Sequence, residues 1–356
     1  MWRVSRPDAT GILDTPGVQA AMPRYAEIVR GNRYPKFQIA QSIPVEFSRR
    51  TDTDTLWRIH DITLESFHEH QEKNTKPKKA DKSFLDLKIL LAHRVMQNCN
   101  FCTRNCKADR IHGEKGYCGA GRNFSLFSAF PHMGEEPELI PSGTIFTGGC
   151  SIRCIHCQNW DISQWKSHGD SLTPEMMAYQ VRELAEKGCR NINMVGGDPT
   201  PYVWHWLETM NKVKNSIATV WNSNSYYSLE AAKLLAGFID IYLLDFKYGN
   251  NQCASEISDA PGYWEAATRN HLWAHQHGEL LIRVLVLPGH NQCCTRPILQ
   301  WIHNNLGPMT RVNLMFQYRP EWRARERPEL SHRLTGTEIT EARQMAEEIG
   351  LRNLVK

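Results

Sequence analysis

The sequence contains no uninterrupted apolar run near the roughly 18–20 residues that a membrane-spanning helix needs, and this argues against a transmembrane segment. Its first residues, Met1-Trp2-Arg3-Val4-Ser5-Arg6-Pro7, lack the apolar stretch of a secretory leader. Both absences point to a cytoplasmic protein with no membrane partner. Charge of one sign is also scarce, since the net charge is only +4 over 356 residues. The one compact basic run, Lys76-Pro77-Lys78-Lys79, contains a proline and reads as a solvated linker. A nucleic-acid surface needs its charge gathered on one face, and nothing in the composition argues for one. With 41% hydrophobic and 22% charged residues, the chain has the makeup of a globular protein with a large core.

Residues 1–90 carry no chemical motif. They do carry aromatic residues (Tyr25, Tyr34, Phe37, Phe47, Trp57, Phe67) at a frequency that predicts folded short helices packed on the rest. Residues 71–82 contain no large apolar residue and predict a loop. Leu85 to Val95 then shows helical spacing and leads into the first cysteines.

Cysteine is what the chain has in abundance. There are eleven, an odd number, and in a chain without a secretory leader they are expected to be reduced. Seven fall within residues 99–157 in two tight groups, which points to metal ligation. The remaining four, Cys189, Cys253, Cys293 and Cys294, lack ligand spacing and read as plain core or surface thiols.

From residue 140 onward, short apolar runs alternate with amphipathic stretches. Strands are predicted at Thr144–Thr147, Asn191–Val195, Thr219–Trp221, Ile239–Phe246, Leu280–Leu287 and Val312–Phe316. Helices lie between them. One starts at Thr173-Pro174-Glu175 and ends at Gly188, another runs from Ser228 to Ala236, and a last one from about Thr337 to Ile349. This alternation predicts an α/β fold with a parallel sheet and right-handed crossovers. Six strands are too few for a complete eight-stranded barrel, so a partial (β/α)6 barrel is expected. Chemistry in such folds sits at the carboxyl ends of the strands.

The first strand runs into Cys150-Ser151-Ile152-Arg153-Cys154-Ile155-His156-Cys157, a C-x3-C-x2-C spacing. A loop of this length lets three thiolates converge on one [4Fe–4S] cluster and leaves one iron open for a small chelating molecule. A zinc site or unligated buried thiols are the competing readings, but zinc knuckles come paired with a fourth ligand nearby, and none follows Cys157. Upstream, Cys99, Cys102, Cys106 and Cys118 form C-x2-C-x3-C-x11-C. Four thiolates suit either a closed zinc site or an auxiliary Fe–S cluster, with a structural role favoured.

The stretch Cys154 to Ser163, Cys-Ile-His-Cys-Gln-Asn-Trp-Asp-Ile-Ser, resembles the radical S-adenosylmethionine (SAM) superfamily, and within it the branch of pyruvate formate-lyase activating enzyme-like proteins. The resemblance runs from about residue 99 to about 320. Together with the residue pattern it divides the chain into 1–90 (an N-terminal, mostly helical extension), 91–139 (a cysteine-rich metal-binding segment) and 140–356 (a radical SAM core with a C-terminal helix). Gly196-Gly197-Asp198-Pro199, a turn in isolation, is similar to the family's Gly-Gly-Glu motif for the SAM amino group, with Asp shortening the arm. Asn222 and Asn224, ordinary turn residues by themselves, match polar positions that contact SAM. Asp245 and Lys247 resemble an Asp-x-Lys motif bordering SAM, with a structural ion pair as the plain alternative. Val286-Leu287-Pro288-Gly289 and Gln317-Tyr318-Arg319-Pro320 resemble further strand-end motifs of the branch.

What the resemblance implies is an oxidoreductase of activase type. It would cleave SAM reductively to a 5′-deoxyadenosyl radical that takes hydrogen from a protein or small-molecule substrate, fed by an electron donor such as flavodoxin or ferredoxin. The extra cysteines here precede the triad, whereas those of glycyl-radical activases follow it, which argues against a formate-lyase partner. A radical transferase or peptide-modifying enzyme is the alternative within the same chemistry. A non-catalytic metal-binding interaction protein is the alternative outside it.

Overall fold

A computed structural model describes residues 2–355. Its centre is one eight-stranded sheet: β1 (Phe124–His132), β2 (Ser142–Thr147), β3 (Asp170–Leu172), β4 (Asn191–Gly196), β5 (Ala218–Ser223), β6 (Ile241–Asp245), β7 (Glu279–Leu285) and β8 (Arg311–Met315). The spatial order is β3-β1-β2-β4-β5-β6-β7-β8. From β2 to β8 all neighbours are parallel and follow chain order. This is the expected α/β partial barrel of six parallel strands. β1 and β3 add an antiparallel edge beside β2 that the sequence pattern does not announce. β1 is only partly buried and contains Pro131, which is tolerated at a sheet edge, and β3 has three residues.

The connecting helices have local reasons to start and stop. Thr173 accepts from the Met176 N–H ahead of Pro174, and the helix Pro174–Glu186 is followed by Gly188 at φ +80°. Ser228 accepts from the Ala231 N–H to begin Leu229–Leu235. Thr335 and Glu338 form a reciprocal capping box for Gly336–Ile349, which stops at left-handed Gly350. The expected 71–82 loop starts slightly late, because helix Phe67–Lys73 runs into it and ends at Asn74 (φ 44°). Among the described residues, no helix is long and apolar enough to cross a membrane.

Strand periodicity divides the sheet's two faces between two cores. On one face Trp221, Tyr242, Leu244, Leu280 and Ile282 pack against the crossover helices. On the other, Ala218, Val220, Ile241, Leu243 and Leu281 form a separate cluster with Val18, Met22, Tyr25, Ala26 and Ile28. Helices Pro16–Ala21 and Pro23–Val29 therefore plug the amino end of the partial barrel. Polar contacts fix the plug. The Tyr25 hydroxyl accepts from Asn191 Nδ2 at 2.9 Å and donates to the Glu138 carbonyl at 3.3 Å. The Glu279 carboxylate accepts the Arg24 and Tyr25 N–H groups at 2.6 and 2.7 Å. Arg24 also pairs with Asp240 at 3.0 Å.

Tyr25 is wholly buried at this junction. Truncation to alanine should lower unfolding free energy by roughly 3–5 kcal/mol, and Tyr25→Phe by about 1 kcal/mol through the lost hydroxyl. Denaturant unfolding of both variants checks this.

Candidate active site

The carboxyl end of β2 turns sharply into the cysteine triad. Gly149 sits at φ +84°, and a Cβ there would lie 2.4 Å from the Cys118 carbonyl oxygen, so glycine is required on both counts. The loop that follows is stapled to the helix Asn251–Ser258 by Arg153 N–H to Ser258 O (2.7 Å) and Ile155 N–H to Ile257 O (3.0 Å). Each sulfur of the triad has a polar neighbour. Asn224 Nδ2 donates to Cys150 Sγ at 3.4 Å, Ser258 Oγ donates to Cys154 Sγ at 2.9 Å, and Ser163 Oγ lies 3.2 Å from Cys157 Sγ.

Burial, then Asp198 and the other two thiols, pushes the Cys150 thiol well above its ordinary value. Burial and Cys154 push Cys157 up to about 11. Buried thiols raised in this way are poor free thiolates, whereas coordination to a cationic centre deprotonates them outright. The donor set therefore fits an iron–sulfur cluster. His156, between two of the cysteines, contacts the Tyr248 hydroxyl at 3.3 Å and packs edge-on against Tyr318. Burial lowers it to about 3, so its ring is neutral.

The triad opens onto a cavity of about 620 Å³ into which the carboxyl ends of the parallel strands converge, within the roughly 300–1,000 Å³ of small-molecule sites. Gly196, Gly197, Asn222, Asn224, Asp245 and Lys247 all line it. Asn222 Oδ1 accepts from Arg283 Nη1 at 3.3 Å. Lys247 and Asp245 pair at 2.8 Å. Burial disfavours the Lys247 charge, but Asp245 and its neighbours outweigh that and raise the ammonium above its ordinary value. Asp198 stands behind the wall. It is 1% exposed, and its carboxylate accepts from Ser223 Oγ (2.9 Å), the Asn224 N–H (3.2 Å) and Ser151 Oγ (3.4 Å). Burial raises its pKa. It ties the triad loop to the ends of β4 and β5.

The cavity also holds a charged group that sequence reading missed. Arg283 reaches Glu136 through Nε at 2.7 Å and Nη2 at 2.6 Å, and also pairs with Glu135. Asn313 Nδ2 donates to Glu136 at 2.8 Å. Burial alone would raise the Glu135 carboxyl, but Arg283 and His132 hold it down to about 2. A signal existed. Arg283 is the one charge within Leu280–Leu287, and it falls on the inward register of Leu281 and Leu285.

The upstream cysteines do not line this cavity but abut its back wall. Cys99 N–H bonds to Ala108 O at 3.1 Å and Lys107 N–H to Cys99 O at 2.9 Å, closing a loop around Cys102 and Cys106. Burial, with Cys118 and Cys106 nearby, pushes Cys102 up to about 12. Cys106 Sγ lies 3.9 Å from the Cys99 carbonyl oxygen; the neighbouring Cys99 thiol lowers Cys106, while Cys106 and burial raise Cys99. Arg104 connects the groups. Its Nε donates to Ser151 O at 2.8 Å, and its guanidinium lies 3.4 Å from the Tyr117 ring centroid, whose ring also contacts Arg153 at 4.2 Å.

The sequence family described as the Radical SAM superfamily matches residues 144–302, the segment from β2 into the helix Arg296–Leu306. An uncharacterized protein of Methanocaldococcus jannaschii is 38% identical over 339 residues, covering 92% of this chain and 97% of that one. A second uncharacterized protein of the same organism is 25% identical over 282 residues, covering 71% and 79%. Among solved structures, Streptococcus suis SuiB bound to precursor peptide SuiA covers 84% of this chain and 62% of its own, at 10% identity and a TM-score of 0.43.

The ends of β2 and β4 meet so closely that a Cβ on Gly197 would lie 2.2 Å from the Gly149 oxygen. Gly197→Ala should therefore force the strand ends apart at a cost of roughly 1–3 kcal/mol. Its unfolding free energy, measured beside an exposed Gly336→Ala control with open space around it, checks this.

Proposed function

The chain belongs to the radical SAM superfamily, and on that premise we propose that it holds a [4Fe–4S] cluster on Cys150, Cys154 and Cys157, binds SAM in the adjoining cavity, and abstracts hydrogen from a substrate in the manner of an activase. An enzyme of this superfamily uses a [4Fe–4S] cluster and SAM. When bound, the cluster supplies the electron that breaks a C–S bond of SAM, yielding methionine and a 5′-deoxyadenosyl radical.

The chain's own residues would bind, orient and shield. Asn224 and Ser258 donate toward Cys150 and Cys154 and the Ser163 hydroxyl lies beside Cys157, an arrangement suited to tuning cluster potential. Gly196 and Gly197 bring backbone to the cavity wall, and Asn222, Asp245 and Lys247 supply polar groups there. The Arg283–Glu135–Glu136 group on the same wall is suited to orienting a polar substrate. The plug of residues 16–29 packs against the amino end of the sheet and helps keep solvent from that side of the cavity. An electron donor such as flavodoxin or ferredoxin, and a partner protein or small molecule as hydrogen source, complete the reading.

This reading rests on one convergence: the three thiols of the triad and the inward residues of six consecutive parallel strand ends share a single cavity. After anaerobic reconstitution with iron and sulfide, dithionite-reduced protein should release 5′-deoxyadenosine from SAM. Cys150→Ala should lose both the cluster absorbance and that release. An unaltered Cys150→Ala protein, or a reconstituted native protein without turnover, would overturn the proposal.

A further inference from the structure

Three potential ligands that sequence spacing leaves scattered come together outside the cavity. Cys253 lies on the helix Asn251–Ser258, while His290 and Cys293 lie after β7, Cys293 within a π-helical turn at Asn291–Thr295. Cys253 Sγ and Cys293 Sγ are 3.9 Å apart. A ring nitrogen of His290 and both sulfurs lie within 4.8 Å of one another. Two thiolates bound tetrahedrally at about 2.3 Å from one zinc ion are about 3.8 Å apart, so the sulfur pair already has the length of a tetrahedral edge.

Two further features fit ligation. His290 Nδ1 is 2.6 Å from the Pro288 carbonyl oxygen. A carbonyl can only accept, so Nδ1 donates here and Nε2 is the ring nitrogen left for a metal, the arrangement typical of metal-bound histidine. Asn250 Nδ2 donates to both Cys253 Sγ (3.3 Å) and the Cys293 carbonyl (2.9 Å), and a Cβ on Gly249 would come within 2.8 Å of the Cys293 oxygen. The two segments are thus held together by the Asn250 side chain and by the close approach at Gly249. Cys294 Sγ, 4.0 Å from Cys293 Sγ, stands beside the group.

We propose that Cys253, His290 and Cys293 bind one zinc ion, with a fourth position open to water or Cys294. Two sulfurs and an imidazole select a borderline-soft ion rather than magnesium or calcium. The ion would clamp the loop after β7 to the helix whose Ser258 and Ile257 brace the cysteine triad. The site is a structural one, separate from the cavity, and it does not depend on the activity proposed above.

Site-resolved alkylation tests this in the intact chain. Metal-stripped protein, kept anaerobic, is treated with iodoacetamide with and without added zinc, and each cysteine is followed by peptide mass spectrometry. Zinc should slow modification of Cys253 and Cys293 together by about tenfold or more, because a coordinated sulfur is no longer a free nucleophile. Cys293 is exposed, so Cys293→Ser should fold, bind one zinc fewer than the native chain and lose the protection at Cys253. Equal rates with and without zinc, an unchanged zinc content in Cys293→Ser, or a Cys253–Cys293 disulfide in place of protection would each overturn the proposal.

Discussion

The candidate site depends on a backbone contact where β2 and β4 end. Gly197 N–H donates to Thr147 O at 2.8 Å and Asp198 N–H to Gly149 O at 3.0 Å, an approach that no side chain at 197 would permit. Because the two chains meet there, Cys150 leaves β2 directly beside the β4 turn. The Asp198 carboxylate then extends the same junction to β5 and the triad loop through Ser223, Asn224 and Ser151. Asn224, held in this way, points its amide at Cys150. Buried hydrogen bonds to a carboxylate are costly to leave unmade, so the arrangement is stiff before any ligand enters.

The partial barrel is asymmetric along its strands. On β5, β6 and β7 the inward positions near the amino ends are apolar and cluster with Val18, Met22 and Tyr25. Two residues further along the same faces stand Asn222, Asp245 and Arg283. The changeover turns these three strands polar at the cavity, whereas Asn191 and Glu279 at the other end are hydrogen-bonded to the plug, and the motif-free amino terminus has the definite task of closing that end. Around the carboxyl end the cysteine-rich segment and the triad loop share a wall through Arg104 and Tyr117. A change in one group would be felt in the other across that contact.

What could be read from sequence was what local pattern encodes. All six parallel strands follow their apolar runs to within a few residues, because each is buried on both faces. The Cys150–Cys157 spacing and the polar strand ends were legible for the same local reason, and six of the seven residues matched to SAM motifs line one cavity. Pattern failed where partners are distant. β3 is a three-residue edge strand, and β1 beside it is only partly buried. Glu135 and Glu136 gain meaning only from Arg283, nearly 150 positions away. Asp198 sits on the right turn, yet its carboxylate is taken up by serines and a backbone amide behind the wall. Cys253 and Cys293 are 40 positions apart, beyond any spacing rule for ligands.

The central claim is that three cysteines hold a cluster with one iron open to SAM. Electron paramagnetic resonance of the reconstituted, reduced protein, recorded with and without SAM, bears on it most directly. Ligation of SAM at the open iron must alter the cluster signal, and that is the result the account predicts. Spectra that stay identical when SAM is added would contradict it.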